Sequence, residues 1–252
     1  MTICAILIKK ILPPHFWLRK KLSQIYHHPF TFFRRPNIGS IDREIERLSR
    51  VKSSVIFVQI GANDGVTSDP IFPFIQTKRF CGVKIEPVFH IFLKLKENFK
   101  NFPCIKCLNI AIAEKNGHKP FYRLKQYDEK GNKILHNQQG SFIRDHLLPL
   151  GKFYPNIDEL IEVDMVETWT LRKLFDYIGG TVDLLHIDAE GYDYIILKQL
   201  QFCNCLPDLV IFENSNLSNK DYFEACSFLR GRNYVLSECF GDTIARKIKP
   251  ER

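Results

Sequence analysis

Two segments of the chain are short apolar runs that stop abruptly at glycine and polar residues. The first covers residues 55–60 and ends at Gly61. The second covers residues 182–187 and is followed by acidic residues and Gly191. A parallel strand that is buried on both faces has this pattern, and ligands bind where such strands end. The two runs therefore predict buried strands whose carboxyl ends open into a ligand site.

The rest of the pattern alternates between strand-like and helix-like segments. The predicted strands cover residues 54–60, 80–85, 104–112, 120–124, 160–168, 182–188, 209–212, 233–239 and 243–248. The predicted helices cover residues 40–51, 69–77, 171–178, 192–200 and 220–230, and one more helix buries Phe89, Phe92, Leu93 and Phe99. This alternation predicts an α/β fold with a doubly wound, Rossmann-like sheet, and the last two strands predict a terminal hairpin.

Residues 125–157 interrupt the alternation. They are rich in Gln, Asn, Lys, Gly and His, and they have no clear hydrophobic period. An irregular segment of this length inside a compact domain is usually functional or mobile. We therefore expect a substrate-facing segment here, and residues 125–157 are called the flap below.

The positive charge of the chain is concentrated near its start. The formal net charge is +8, and residues 1–41 contain seven Lys and Arg residues and no acid. The remainder is nearly neutral, which argues against a nucleic acid partner because that would require a basic face on the domain. Two interpretations stay open. Residues 1–40 form a solvated basic extension of a domain over 41–252, or residues 1–35 contact a membrane surface or a protein partner.

The eight cysteines invite a metal or disulfide interpretation. Cys104 and Cys107 form a single CxxC, and Cys203 and Cys205 lack the spacing that would complete a zinc site. We expect no metal site and reduced cysteines, with Cys81 and Cys107 in the core. No segment reaches the roughly 18 apolar residues that a transmembrane helix needs. A cytoplasmic location is the expectation, and contact with a cytosol-facing membrane is compatible with it.

The turn after the first predicted strand is Gly61-Ala-Asn-Asp-Gly65, and Glu86 ends the second. This GxxxG differs from the GxGxxG that seats a pyrophosphate at a helix N-terminus. S-adenosylmethionine (SAM) has no pyrophosphate, and its methionine part needs a tight turn with polar groups such as Asn63 and Asp64. The Glu86 carboxylate can accept hydrogen bonds from two ribose hydroxyls. SAM is the favoured cofactor, and an ordinary glycine turn with an acid at a helix start is the competing interpretation.

Ionisable side chains gather where the later strands end. Methyl transfer from a sulfonium mainly requires an acceptor oxygen held in line with the methyl group, and a hydroxyl acceptor gains from a base. The candidate bases are His186, Asp188, Glu190 and Glu213. We expect Glu190 to be the base with Glu213 nearby, and His186 is the third candidate catalytic residue because of its usual pKa. A metal ion on Asp188 and Glu190 is the competing interpretation.

These segments together resemble the FkbM-type family of SAM-dependent methyltransferases. The matching segments follow the family's order over about residues 54–248: 58–65, 85–87, 109–117, 168–171, 184–193 and 210–213. The resemblance implies a class I methyltransferase fold, with a mostly parallel seven-stranded sheet that ends in a C-terminal antiparallel hairpin. It also implies O-methylation of a sugar, a glycan or another small molecule.

The motifs and the resemblance together give the expected cofactor-binding residues. These are Gly61, Ala62, Asn63, Asp64, Gly65, Glu86, Pro87, Asn109, Ala111, Ser141 and Asp188. Ser141 and His146 are flap residues that are candidates for contact with the cofactor or the acceptor. Three positions depart from the family pattern, because Gln59 replaces an acid, His186 a lysine and Asp193 a glutamate. These departures affect the expected acceptor and the expected base, but they leave the expected cofactor unchanged.

Two functions of other kinds stay open. One is a non-catalytic module with a methyltransferase fold that docks on a membrane or a protein through its basic tail. The other is a nicotinamide-dependent oxidoreductase, which the missing GxGxxG disfavours. Binding of SAM, or its absence, distinguishes these functions from methyl transfer.

Overall fold

The structure, a computed structural model, describes residues 40–76, 79–179 and 181–248. The predicted basic extension and its membrane contact lie outside the described residues, except for Ser40. The helices are α1 (Ile41–Val51), α2 (Phe72–Ile75), α3 (Phe89–Asn98), α4 (Ile157–Leu160), α5 (Leu171–Ile178), α6 (Asp193–Leu197) and α7 (Asn219–Arg230). The strands are β1 (Val55–Ile60), β2 (Phe80–Ile85), β3 (Ile105–Leu108), β4 (Ala111–Ile112), β5 (Gly117–Leu124), β6 (Gly140–Ser141), β7 (Ile161–Trp169), β8 (Leu184–Ile187), β9 (Leu209–Glu213), β10 (Tyr234–Cys239) and β11 (Asp242–Lys247).

Seven strands form a large sheet in the order β10-β11-β9-β8-β1-β2-β3. Five neighbouring strands of this sheet are parallel: β9, β8, β1, β2 and β3. Strand β11 is antiparallel to both β9 and β10. The carboxyl ends of the parallel strands therefore meet at one edge of the sheet. This arrangement confirms the doubly wound class I methyltransferase fold with a mostly parallel seven-stranded sheet and a C-terminal antiparallel hairpin.

Helices cover both faces of the large sheet. One apolar cluster joins α1, α2 and α3 to one face and includes Ile45, Ile75 and Leu95. The other cluster joins α5, α6 and α7 to the opposite face and includes Leu174 and Ile196. Because helices cover both faces, every residue of β8 and β9 is buried. Such strands need apolar side chains at almost every position.

A second, smaller sheet was not expected from the sequence. Its strand order is β4-β7-β5-β6, and the long β5–β7 pair is antiparallel. The predicted strand over residues 104–112 is in fact two strands, because β3 joins the large sheet and β4 the small one. The break falls at Asn109, whose side chain donates hydrogen bonds to the carbonyl oxygens of Glu86 and Pro87. One inner face of the small sheet packs on α3 through Phe121 and Val166.

The predicted buried stripe of α3 is partly wrong. Phe89 and Leu93 are 58% and 50% exposed, whereas Ile91 and Leu95 are buried. The helix instead buries positions 91, 95 and 99, which are spaced by four residues and so share one face. Aromatic side chains are too frequent along this segment for their spacing alone to identify the buried face.

No helix among the described residues is long and apolar enough to span a membrane. The cysteines within the described ranges form no disulfide, and Cys81 and Cys107 are half-buried rather than fully in the core. Cys104, the first residue of the CxxC, is exposed.

Candidate active site

The turn after β1 is held by backbone hydrogen bonds at the carboxyl edge of the large sheet. The N–H groups of Gly61 and Ala62 both donate to the carbonyl oxygen of Ile85, at 3.0 and 2.8 Å. Gly61 has a φ of +73°, and a Cβ atom there would lie 1.9 Å from the carbonyl oxygen of Asp188. Only glycine fits this position, because it both adopts the left-handed conformation and leaves room for the neighbouring strand end.

The following residues make the turn polar and compact. Asn63 also has a positive φ, of 51°, and its Oδ1 accepts the N–H of Asp64 at 2.8 Å. The Asp64 carboxylate accepts the N–H groups of Val66 and Thr67 and the Thr67 hydroxyl. Burial opposes the charge of Asp64, but these hydrogen bonds prevail and lower its pKa. Asp64 is therefore an ionised residue within the turn.

Glu86, directly after β2, is a buried carboxylate beside this turn. It is 4% exposed, and its two oxygens accept the N–H groups of Asn63 at 2.9 Å and Val88 at 2.8 Å. Burial raises the pKa of Glu86 to about 7, the charge of Asp188 adds to the rise, and the two N–H groups oppose it. Further hydrogen-bond donors, such as ribose hydroxyls, would stabilise the ionised form of an acid in this environment.

A buried ion pair lies beneath the turn. Lys84 is fully buried, and its Nζ lies 2.6 Å from Oδ2 of Asp69 and donates to the side-chain oxygen of Gln59. Burial lowers the pKa of Lys84, and Asp69 opposes this change. The other Asp69 oxygen accepts the N–H groups of Ile71 and Phe72 just before α2, which begins at Phe72 and is shorter than the predicted 69–77. The pair fixes the chain after the glycine turn to β2.

The loop after β8 continues from the turn toward the flap. Asp188 donates its N–H to the carbonyl oxygen of Ile60 at 2.9 Å, next to Gly61. Two residues later, Glu190 adopts a left-handed conformation with a φ of +47°. Its carboxylate accepts from Nε2 of Gln139 at 3.3 Å and from Nδ2 of Asn216 at 2.7 Å.

The loop after β9 and the flap complete this side of the site. Nδ2 of Asn216 also donates to Glu213 at 2.9 Å, so one amide joins the two predicted catalytic carboxylates. Ser141 is completely buried, and its hydroxyl donates to the carbonyl oxygen of Glu190 at 3.0 Å. The ring of His146 contacts the same carbonyl through Nδ1 at 2.5 Å. The flap is thus packed against the loop that follows β8.

Most of the expected site residues come together at the carboxyl edge of the sheet. The glycine turn, Glu86, Pro87, Asn109 and Asp188 lie at one end of the group, and Glu190, Glu213 and Ser141 lie at the other. His186 is 7% exposed inside β8, in register between Gln59 and Ile211. The Ala111 side chain is 4% exposed and packs among the apolar residues between α3 and the small sheet.

Three residues of the site were not predicted from the sequence: Lys84, Gln139 and Asn216. Lys84 could have been identified from the sequence, because it is a lone charged residue inside an otherwise apolar strand. Gln139 and Asn216 could not, because they lie in irregular segments, where no hydrophobic period indicates the direction of a side chain. Asp193, noted only as a departure from the family, is fully buried, and burial followed by the charge of Asp188 raises its pKa well above the usual value.

No three His, Cys, Asp or Glu side chains within the described residues are grouped so that they could hold a metal ion. Two cavities of about 320 and 290 Å³ lie elsewhere, one beside α5 and Cys203 and one beside α1 and Arg246. Neither is lined by the strand-end residues described above.

A family model described as the FkbM methyltransferase domain matches residues 59–236 of the chain. The match begins just before the glycine turn and ends after α7, so it includes every strand-end residue described above. Among curated proteins, none matches the chain.

Two solved structures of methyltransferases are distantly similar. One is methyltransferase FkbM from Methylobacillus flagellatus KT, with 11% identity and a TM-score of 0.46 over 77% of this chain and 43% of that protein. The other is a methyltransferase from Geobacter sulfurreducens, with 11% identity and a TM-score of 0.42 over 98% and 96% of the two chains. The present chain thus spans less than half the length of the Methylobacillus protein.

Proposed function

The chain belongs to the FkbM methyltransferase family, and we propose that it uses SAM to methylate a hydroxyl oxygen of a sugar, a glycan or another small molecule. The observation that carries the proposal is Glu86, a buried carboxylate with a raised pKa at a strand end, beside a left-handed glycine turn. A buried acid in this setting is stabilised by a ligand that presents neutral hydroxyl donors to it. A ribose presents two.

The residues present fit SAM at this edge of the sheet. In the proposed complex, Glu86 holds the ribose hydroxyls, and Pro87, Asn109 and the backbone of Ala111 border the base, because the Ala111 side chain is buried between α3 and the small sheet. The glycine turn from Gly61 to Gly65, with Ala62, Asn63 and Asp64, holds the methionine part of SAM. Asp188 forms the wall opposite the turn, and Ser141 closes the site from the flap. Bound SAM supplies a methyl group that its sulfonium already activates.

The acceptor side is proposed at the outer end of the loop after β8. Glu190 and Glu213 are joined there by Asn216, and they orient the acceptor hydroxyl toward the methyl group. His186, buried within β8, is proposed to support this wall from beneath. Positioning is the main contribution such a site can make, because the sulfonium methyl is already reactive.

Transfer of isotope-labelled methyl from SAM to a mixture of hexoses, methyl hexosides and glycans tests the proposal. We expect label in an acceptor that survives mild alkali, because methyl ethers resist the hydrolysis that removes methyl esters. Glu86→Ala, which removes the ribose partner, should lose the transfer. Label that is fully released by alkali would contradict hydroxyl methylation.

The proposed setting of this reaction is the cytoplasm, with contact at a membrane surface through residues 1–35. The alternative, a non-catalytic module, predicts that folded protein binds to its partner but transfers no methyl group and does not bind SAM. The two proposals therefore differ in a single binding experiment.

A further inference from the structure

The flap residue His146 is held by the backbone of the loop that follows β8. Its Nδ1 lies 2.5 Å from the carbonyl oxygen of Glu190, and that oxygen also accepts the hydroxyl of Ser141 at 3.0 Å. Ser141 in turn accepts the N–H of Ile143, which begins the short turn that carries His146. Two flap side chains thus converge on one peptide group.

The loop is shaped to receive the imidazole ring. Gly191 has a φ of +90°, and a Cβ atom there would lie 2.0 Å from Cε1 of His146 and 2.4 Å from its Nδ1. Glu190 is itself left-handed, a strained state for a residue with a side chain. The Glu190–Gly191 conformation therefore both presents the carbonyl oxygen and leaves the space that the ring occupies.

This contact fixes which ring nitrogen carries the proton. A carbonyl oxygen only accepts hydrogen bonds, so Nδ1 must be the N–H donor. In the neutral ring, Nε2 then keeps its lone pair and is the basic atom. No residue in the described ranges hydrogen-bonds Nε2, and the side chain is partly exposed.

The neighbouring carboxylates are less suited to accept a proton. Glu190 is bonded by the amides of Gln139 and Asn216, and Glu213 shares the Asn216 amide. Each of these hydrogen bonds occupies a lone pair with which a carboxylate oxygen could take up a proton. These carboxylates are therefore better placed to orient an acceptor than to deprotonate it, which replaces the role of base that the sequence suggested for Glu190.

We propose that His146 is the general base that takes the proton of the acceptor hydroxyl during methyl transfer. The inference rests on the proposed function. The bond between the acceptor oxygen and the methyl carbon forms as the bond between carbon and sulfur breaks, and the electron pair of the broken bond stays on sulfur, which leaves neutral S-adenosylhomocysteine (SAH). The hydroxyl proton moves to Nε2, and the resulting imidazolium releases a proton to solvent.

The location of the ring agrees with this role. The loop leaves the cofactor wall at Asp188, beside Gly61, and reaches His146 two residues later at Glu190. The titratable groups on the segments that carry and contact the ring are Arg144 and Asp145 on its own turn, Glu190 on the loop, Asp193 at the start of α6, and Glu213 beyond Asn216. Arg144 is paired with Asp158.

His146→Asn and His146→Ala test the proposal in the full chain. The Asn side chain can still donate to the Glu190 carbonyl but cannot act as a base, whereas Ala removes both properties. The matched control is His136→Asn, because His136 lies in the same flap but contacts Tyr154. The measurements are SAH affinity by calorimetry and kcat at saturating SAM from pH 5.5 to 9, with the hexose and methyl hexoside mixture as acceptor.

We expect His146→Asn to bind SAH within about twofold of the wild type while kcat falls about 100-fold. The decline of kcat toward acid pH should disappear in the variant, and added imidazole should restore part of the activity of His146→Ala. The His136→Asn control should keep the wild-type kcat and pH profile.

Unchanged kcat in His146→Asn would overturn the proposal. A lower kcat that keeps the wild-type pH profile and shows no imidazole rescue would also overturn it, because His146 would then only position the loop. Failure of the proposed methyltransferase function would give a different result, because the wild type itself would then bind no SAH or transfer no methyl group.

Discussion

Glu86 is the residue on which the cofactor assignment depends most. Its position after a buried strand was predictable from the sequence, because an acid that follows an apolar run and precedes Pro87 falls at the carboxyl edge of a parallel sheet. Its two backbone partners, the N–H groups of Asn63 and Val88, were not predictable. The first depends on the left-handed turn at Asn63, which no hydrophobic pattern encodes.

The raised pKa of Glu86 predicts that SAH affinity depends on pH. Ribose hydroxyls bind the ionised carboxylate, and with a pKa of about 7 the ionised fraction falls as pH drops below neutrality. Affinity should therefore be about tenfold weaker at pH 6 than at pH 8. Calorimetry across this range measures the effect. Glu86→Gln, which cannot ionise, should bind weakly and without this slope, and a flat wild-type profile would exclude Glu86 as the ribose partner.

Gly61 and Gly179 form a natural pair for testing the crowded turn. Both are left-handed, with φ of +73° and +72°, but a Cβ at Gly61 meets the Asp188 carbonyl at 1.9 Å while one at Gly179 meets nothing within 4 Å. Gly179→Ala should cost about 1 kcal/mol of unfolding free energy from backbone strain alone. Gly61→Ala should cost about 3 kcal/mol or more, because the strand end must also move.

Urea unfolding of the two glycine variants, with SAH titration of whichever remain folded, checks this prediction. The expected result is a large stability difference and loss of SAH binding only in Gly61→Ala. Equal effects of the two substitutions would mean that the contact between the turn and the Asp188 carbonyl is unimportant.

At the scale of elements, the large sheet was predictable and the small one was not. Runs such as Val55–Ile60 and Leu184–Ile187 are apolar except for one residue each, and this pattern is typical of a strand buried on both faces. The β4–β7–β5–β6 sheet has mixed exposure, with Val163 and Met165 more than half exposed, so its pattern carries less information. The flap was recognised as irregular, but its contacts with Glu190 could not be read from its composition.

The Lys84–Asp69 pair should stabilise the connection between β1 and β2. Lys84→Met leaves the Asp69 carboxylate buried without its ion partner and should lower the free energy of unfolding by about 3–5 kcal/mol. The double variant Lys84→Met/Asp69→Asn removes the stranded charge and should be more stable than Lys84→Met alone. Urea unfolding of the wild type, Lys84→Met, Asp69→Asn and the double variant measures this coupling, and simply additive losses would show that the two residues act independently.

In the molecule as a whole, the proposed site uses only residues between 61 and 216, and the basic segment precedes it. Deletion of residues 1–39 should therefore leave SAH affinity within about twofold of the full chain, because no proposed contact is removed. The same deletion should abolish sedimentation with anionic lipid vesicles if the basic residues contact a membrane surface. Vesicle binding that is unchanged by the deletion would contradict the proposed role of residues 1–35.

Calorimetric titration with SAM and SAH, using NAD as the control ligand, is the decisive measurement for the proposed cofactor site. We predict micromolar binding of SAM and SAH, equivalent to roughly −8 kcal/mol, no binding of NAD, and loss of binding in a folded Glu86→Ala variant. Absence of binding to intact, folded wild-type protein, or undiminished binding to Glu86→Ala, would contradict the proposed cofactor site.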